Sequence, residues 1–124
     1  MSVEKLRPTI LVVDDEHTIT GTLKLILEKH GFVASVAHSG EEAVHLAREL
    51  TPQYVVADIV MGAMSGIDAA IEIRKLCPEC TIVLMSGNAS TDDLLIEARG
   101  LGHHFDVLAK PFHPSELLAV FGEA

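Results

Sequence analysis

The sequence predicts an α/β domain, an open doubly wound sheet of five parallel strands with a helix after each. Three observations carry this. Short apolar runs at 10–13, 32–37, 54–57, 81–85 and 105–109 alternate with stretches of helical periodicity, and such alternation forces parallel strands joined by right-handed crossovers. The 124 residues make one domain but fall far short of the roughly 250 that an eight-unit barrel takes. Finally, four of the runs end in polar residues: Asp14-Asp15, Asp58, Ser86 and Lys110. In open α/β sheets the carboxyl edge of the strands is where ligands and chemistry sit. A strand order of 2-1-3-4-5 brings strands one and three together at the switch point, where Asp14, Asp15 and Asp58 would meet.

Each element has its own signal. Residues 1–8 are a short polar lead-in, and strand one covers about 9–14. Ile19, Leu23, Ile26 and Leu27 recur at i, i+4, i+7 and i+8, giving an amphipathic helix of about 17–30. Gly21 weakens that helix by roughly 1 kcal/mol relative to Ala, and Gly31 stops it. Strand two is 32–37. Ser39 and Glu42 then form a capping box for a helix that buries Ala43, Leu46, Ala47 and Leu50 and ends at Thr51-Pro52. Strand three, 54–58, runs into a loop containing Gly62 and Gly66. The helix of 66–76 spreads Ile67, Ala70, Ile71, Ile73 and Leu76 too evenly for one stripe. After strand four, 81–86, Ser90-Thr91-Asp92-Asp93 cap a helix with Leu94, Ala98 and Leu101 inward. Strand five is 105–109. Pro114 opens the last helix, with Glu116 in its first turn and Leu117, Leu118 and Phe121 inward.

Composition narrows the function. A net charge of −9 argues against a nonspecific grip on nucleic acid or an anionic membrane. No apolar run reaches the roughly 18 residues of a membrane span, and residues 1–8 lack a signal-peptide core. A cytoplasmic protein is expected. Cys77 and Cys80 form one C-x-x-C, too little for a disulfide framework. They follow the helix of 66–76 at the negative end of its dipole, where a thiolate is disfavoured, so two unpaired structural cysteines are expected. With His103 and His104 they share the bottom edge, where a Cys₂His₂ zinc site is geometrically conceivable, although adjacent histidines rarely bind one ion together. The sequence holds no phosphate-cradling G-x-x-x-x-G-K-[ST], no G-x-G-x-x-G after strand one and no G-x-S-x-G elbow.

The rim carries the chemistry. Three carboxylates within a few ångströms repel one another unless a cation lies between them. An oxygen-only donor set on a partly open rim suits Mg²⁺. Lys110 adds a second positive point and Ser86 a hydroxyl. Between the acid pair and these two lies Asp58, the candidate nucleophile for an acyl phosphate. Blander readings exist for each: Asp14 and Asp15 as turn residues capping the first helix, Lys110 as a solvated lysine, Ser86 as a strand-end hydroxyl bonded to backbone.

Five motifs in order, each at the end of its strand, resemble the receiver domains of two-component response regulators over essentially the whole chain. They are Val12-Val13-Asp14-Asp15-Glu16, Asp58-Ile59-Val60-Met61, Met64-Ser65-Gly66, Met85-Ser86-Gly87 and Lys110-Pro111-Phe112. The resemblance implies a flavodoxin-like (βα)5 fold and one receiver domain over 1–124, with no effector domain in this chain. It implies that Asp58 accepts a phosphoryl group from a histidine kinase or a histidine phosphotransfer protein. It further implies that Asp14, Asp15, Asp58 and the Val60 carbonyl hold Mg²⁺, that Ser86 and Lys110 bind the phosphoryl oxygens, and that Lys110-Pro111 is a cis peptide. Phosphorylation would shift Ser86 and the 86–93 loop and alter the face of helix four, strand five and helix five, where a downstream protein or a second copy docks. Val60 and Asn88 stand where the family tunes phosphoryl lifetime; Val60 cannot orient a water, so slow self-dephosphorylation is expected.

Three departures from the family pattern stand out. Gly62 replaces the usual Pro, Val107 replaces the usual Tyr or Phe three before the lysine, and 102–104 is one residue longer. Phe105 shares Val107's side of the strand. Leu95 and Ile96 lie off the core stripe of helix four, either half-covered by neighbours or forming a docking patch. Two other functions fit the same residues. One is a non-phosphorylated pseudo-receiver, locked by Gly62 and the missing aromatic and acting as an interaction scaffold. The other is a phosphatase or dehalogenase, whose nucleophile would be Asp14.

Overall fold

The computed structural model describes residues 7–87 and 92–122, with the backbone alone for 92–94. Five strands and five helices alternate: β1 (Thr9–Val13), α1 (His17–Lys29), β2 (Val33–Ala37), α2 (Gly40–Leu50), β3 (Tyr54–Asp58), α3 (Gly66–Leu76), β4 (Thr81–Ser86), α4 (Asp92–Gly100), β5 (Asp106–Ala109) and α5 (Pro114–Phe121). All strand pairs are parallel and the order is β2-β1-β3-β4-β5. This is the doubly wound, flavodoxin-like sheet that the alternation predicts.

Strand residues alternate between two cores because successive side chains leave opposite faces. Leu11, Val13, Val55, Ala57, Ile82 and Leu84 pack with α2, α3 and Ala98 of α4. Ile10, Val12, Val56, Val83 and Met85 pack with α1 and α5, chiefly Leu23, Leu27, Leu117 and Phe121. β3 is buried at all five positions, as a central strand covered on both faces must be.

The starts of α2, α3 and α5 are fixed by side-chain acceptors. Ser39 Oγ accepts from the Glu42 N–H at 3.0 Å, but the Glu42 carboxylate accepts from the His38 N–H at 2.7 Å, one residue before the cap. Ser65 Oγ caps α3 by accepting from the Asp68 N–H at 3.1 Å. At α5 the cap is His113, whose Nδ1 accepts from the Ser115 N–H at 3.1 Å while Glu116 accepts from the His113 N–H at 2.8 Å.

Three expectations about the core are corrected. Leu50 is 44% exposed, because it ends α2 beyond the sheet; Val44 packs against the core in its stead. Leu101 is 71% exposed: α4 stops at Gly100, and the Leu101 N–H turns back to the Glu97 and Ala98 carbonyls. The inward stripe of α4 includes Leu95 and Ala98, while Ile96 faces solvent. Phe105 precedes β5 rather than opening it. The proposed cap at Ser90-Thr91, Asn88 and the side chain of Leu94 lie outside the described residues.

Candidate functional site

Register builds the site. Val13 pairs with Ala57 across the β1–β3 seam, so the next residues, Asp14 and Asp58, leave the sheet side by side. The Asp14 N–H is tied to the Ala37 carbonyl at 3.1 Å, and Asp58 is level with Met85 of β4. In the strand alternation Asp14, Asp58 and Lys110 continue the face of Val12, Val56 and Leu108. Ser86 is in phase with Ile82 and Leu84 on the other face.

Asp14 is 0% exposed and Asp58 7%, whereas Asp15 is open to solvent. One carboxylate oxygen from each of the three lies within 4.8 Å of the others. Lys110 Nζ reaches Asp14 Oδ2 at 3.0 Å and Asp58 Oδ2 at 3.3 Å. The Lys110 N–H donates to the Ser86 carbonyl at 2.8 Å, and the Lys110–Pro111 peptide bond is cis. Asp14 Oδ1 also accepts from the Glu16 N–H at 2.9 Å.

Burial pushes the Asp58 carboxyl above its usual range, and Asp14 pushes it further; the Lys110 ammonium and a Val60 backbone hydrogen bond oppose both without cancelling them. For Lys110, burial works against the charge. The hydrogen bond to Asp14 and the charges of Asp58 and Asp14 outweigh it, and the ammonium is held above the usual lysine range. One ammonium thus faces three carboxylates. The uncompensated charge and the oxygen-only donors are what a hard divalent cation needs.

The loop after Asp58 is held closely. The Ile59 N–H donates to the Met85 carbonyl at 3.1 Å, and the Gly66 N–H to the Ile59 carbonyl at 2.8 Å. A Cβ on Gly66 would overlap the Asp58 carbonyl oxygen. A Cβ on Gly40 would meet the Met64 side chain at 2.8 Å, so the start of α2 is seated on the same loop. Ile59 and Met61 are buried while Val60 between them is 57% exposed. Gly62 has free space around it and no left-handed φ; its backbone demands no glycine.

Val107 and Phe105 both pack against the α3–α4 side. Because Met85 pairs with Leu108, Phe105 lies three residues below the level of Asp58, roughly 10 Å along the strand. Its ring is covered by the Arg74 guanidinium, 5.7 Å from the centroid, and it does not take the place of a rim aromatic.

The four zinc candidates do not converge. Among the described residues the three aspartates are the one set of three or more His, Cys, Asp or Glu able to share an ion. Cys77 and Cys80 are free thiols turned into the core, and His104 faces solvent. A feature the sequence reading missed is the stack of His17 on His38, ring centroids 3.7 Å apart and planes 3° from parallel, with Thr20 Oγ 3.0 Å from His38 Nε2. The available signal was position: each histidine follows the end of one of two adjacent strands.

A family model described as the response regulator receiver domain matches residues 10–121. The chemotaxis protein CheY of Thermotoga maritima is 40% identical over 110 residues, covering 88% of this chain and 90% of that protein. The DNA-binding response regulator MtrA of Mycolicibacterium smegmatis is 31% identical over 94% of this chain, which spans 50% of that relative's length. A crystal structure of a response regulator from Burkholderia pseudomallei, containing a phosphorylated aspartic acid, a calcium ion and citrate, superposes with a TM-score of 0.81 at 29% identity, over 91% of this chain and 65% of that one.

Proposed function

The chain belongs to the response regulator receiver family of signalling switches, and on that premise we propose that Asp58 is its phosphoacceptor. The observation that carries this is the placement of Asp58: at the end of the central strand, beside two further carboxylates, with Lys110 Nζ at 3.3 Å. A carboxylate oxygen of Asp58 attacks the phosphorus of a phosphohistidine on a histidine kinase or phosphotransfer protein. The phosphorus–nitrogen bond breaks, the imidazole keeps the electron pair, and an acyl phosphate forms on Asp58. Asp14, Asp15, Asp58 and the Val60 carbonyl would hold Mg²⁺, which when bound neutralises charge on the group in transfer. Lys110 and Ser86 then bind the phosphoryl oxygens; to do so Lys110 gives up its contact with Asp58.

Two surfaces serve partners in this reading. An apolar cavity of about 670 Å³ between α1 and the β5–α5 junction is lined by Ile19, Leu23, Ile26, Met85 and Phe112 and reaches Lys110. Its reach to Lys110, which lies beside Asp58, supports it as the seat for the donor protein. The output face is α4–β5–α5, where Ile96 and Leu101 are exposed, and it takes a downstream protein or a second copy. Val60 and Asn88 set the lifetime of the phosphoryl group. The net charge of −9 makes direct contact with nucleic acid unfavourable, and among the described residues no helix is long and apolar enough to cross a membrane.

The test is incubation with acetyl phosphate and Mg²⁺, read by intact mass. Gain of one phosphoryl group is expected, abolished in Asp58→Asn and without Mg²⁺. No gain with Mg²⁺ binding intact would move the reading to the pseudo-receiver; a gain retained in Asp58→Asn and lost in Asp14→Asn would move it to the phosphatase or dehalogenase chemistry.

A further inference from the structure

At the edge of the sheet opposite Asp58, the Cys80 N–H donates to the Cys77 carbonyl at 3.1 Å. Cys77-Pro78-Glu79-Cys80 is therefore a β-turn, which holds its end Cα atoms within about 7 Å. A disulfide spans about 4.4–6.8 Å between Cα atoms. Both side chains enter the same apolar cluster, and the two groups are near enough for Cys77 to raise Cys80 electrostatically. The Cys77 Sγ–H donates to the Ala47 carbonyl at 3.7 Å; Cys80 has no such bond among the described residues.

Cys80 also lines a depression of about 650 Å³ with Arg74, Arg99, His104 and Phe105. Arg74 and Arg99 come from the last turns of α3 and α4. In a chain with twice as many acidic as basic residues, 18 against 9, neither has a carboxylate within ion-pairing distance among the described residues. Glu79 and Asp106, both exposed, also line it, together with Thr81 and Ile82. Two guanidinium forks are a ready receptor for carboxylates. Burial raises both thiols. Cys80 is the one that lines the depression, and the Arg74 charge there favours its thiolate, so it is the thiol placed to meet a bound disulfide.

We propose that Cys77 and Cys80 are an exchanging dithiol that is oxidised by a small anionic disulfide seated in this depression. Cys80, having released its proton, attacks one sulfur of the bound disulfide. The disulfide bond breaks, one thiolate leaves with the electron pair, and a mixed disulfide forms on Cys80. Cys77 leaves the Ala47 carbonyl, loses its proton and attacks the Cys80 sulfur, expelling the second thiolate. The protein dithiol gives up two electrons and two protons, and the small disulfide is reduced to two thiols.

The test uses the reduced full chain with oxidised glutathione, which carries carboxylates at both ends, and with the cationic disulfide cystamine. Wild type should lose the mass of two hydrogens. Cys77→Ser should stop as a glutathionyl adduct, and Cys80→Ser should form none over the same period. Glutathione disulfide should react several-fold faster than cystamine, and Arg99→Gln should narrow that difference. Three results would overturn the proposal. One is a folded protein that stays reduced while the urea-unfolded chain oxidises; another is an adduct formed on Cys77 first. Equal rates for the two disulfides would be the third.

Discussion

Gly66 is seated directly against the backbone of Asp58, leaving no room for even a methyl group between the first residue of α3 and the Asp58 carbonyl. The contact is to backbone, which cannot swing aside. Gly66→Ala should therefore cost about 3 kcal/mol, in the upper range for overpacking, and weaken phosphorylation by displacing the acceptor strand. Gly62→Ala makes the contrast. Its Cβ would meet nothing, so stability should change by no more than about 0.5 kcal/mol. Urea titration of the two variants checks the pair, and equal losses would show that the tight approach is not what matters.

Asp58 is held protonated to a higher pH in the folded chain than its ordinary value of 3.8. Between those two values the native state binds more protons than the unfolded one, so stability falls as pH rises through that window. At neutral pH the ionised group is a net cost. Asp58→Asn should accordingly melt higher than wild type at pH 7 without metal, and the advantage should vanish below pH 3.8. Saturating Mg²⁺ should raise the wild-type melting temperature, by about 2.7 kcal/mol equivalent at a hundred times Kd, and affect the variant much less. A variant less stable than wild type at pH 7 would contradict this.

Removing Lys110 has the opposite sign. Lys110→Met leaves buried Asp14 and Asp58 without their ammonium, and stripping one partner from buried charges costs about 3 kcal/mol. Because the folded Lys110 is raised above its ordinary 10.5, its contribution is complete below that pH and lost above the folded value. The gap between wild type and variant should thus be full at pH 7 and shrink above pH 10.5. Denaturation across that range measures it. Mg²⁺ should partly rescue the variant's stability without restoring phosphorylation.

The phosphoryl group on Asp58 should persist well beyond seconds. Val60, 57% exposed beside the acceptor, has no polar atom on its side chain to orient a water. Val60→Gln supplies one and should speed loss by about tenfold, below the usual range for a well-placed base. Decay of the phosphorylated mass after removal of the donor gives both rates; a wild-type half-life of seconds would be incompatible with this account.

Strand order and the convergence of Asp14, Asp15 and Asp58 were legible because alternation and strand-end polarity are local signals that the parallel rule turns into topology. The fates of Leu50 and Leu101 were not. Each carries the apolar periodicity one step past the point where its helix stops being covered, and periodicity does not report where the cover ends. Phe105 illustrates another limit. The period-two rule gave its face correctly, since it packs on the same side as Val107, but not its height, which is set by the register of β5 against β4. The His17–His38 stack joins residues 21 positions apart through the β1–β2 pairing, and its one signal, a histidine beyond the end of each of two adjacent strands, becomes readable only once the strand order is known.

The chain has no tryptophan and a single tyrosine. That tyrosine, Tyr54, is buried at the start of β3, its ring 4.4 Å from Phe121 and 5.9 Å from Phe32, its hydroxyl donating to the Phe121 carbonyl at 3.4 Å. The tyrosine emission of the protein therefore originates from one residue that watches the end of α5. Asp58 lies four residues up the same strand, roughly 13 Å away. Any change in that emission on loading the acceptor would be a signal carried through the sheet to α5, readable without a label.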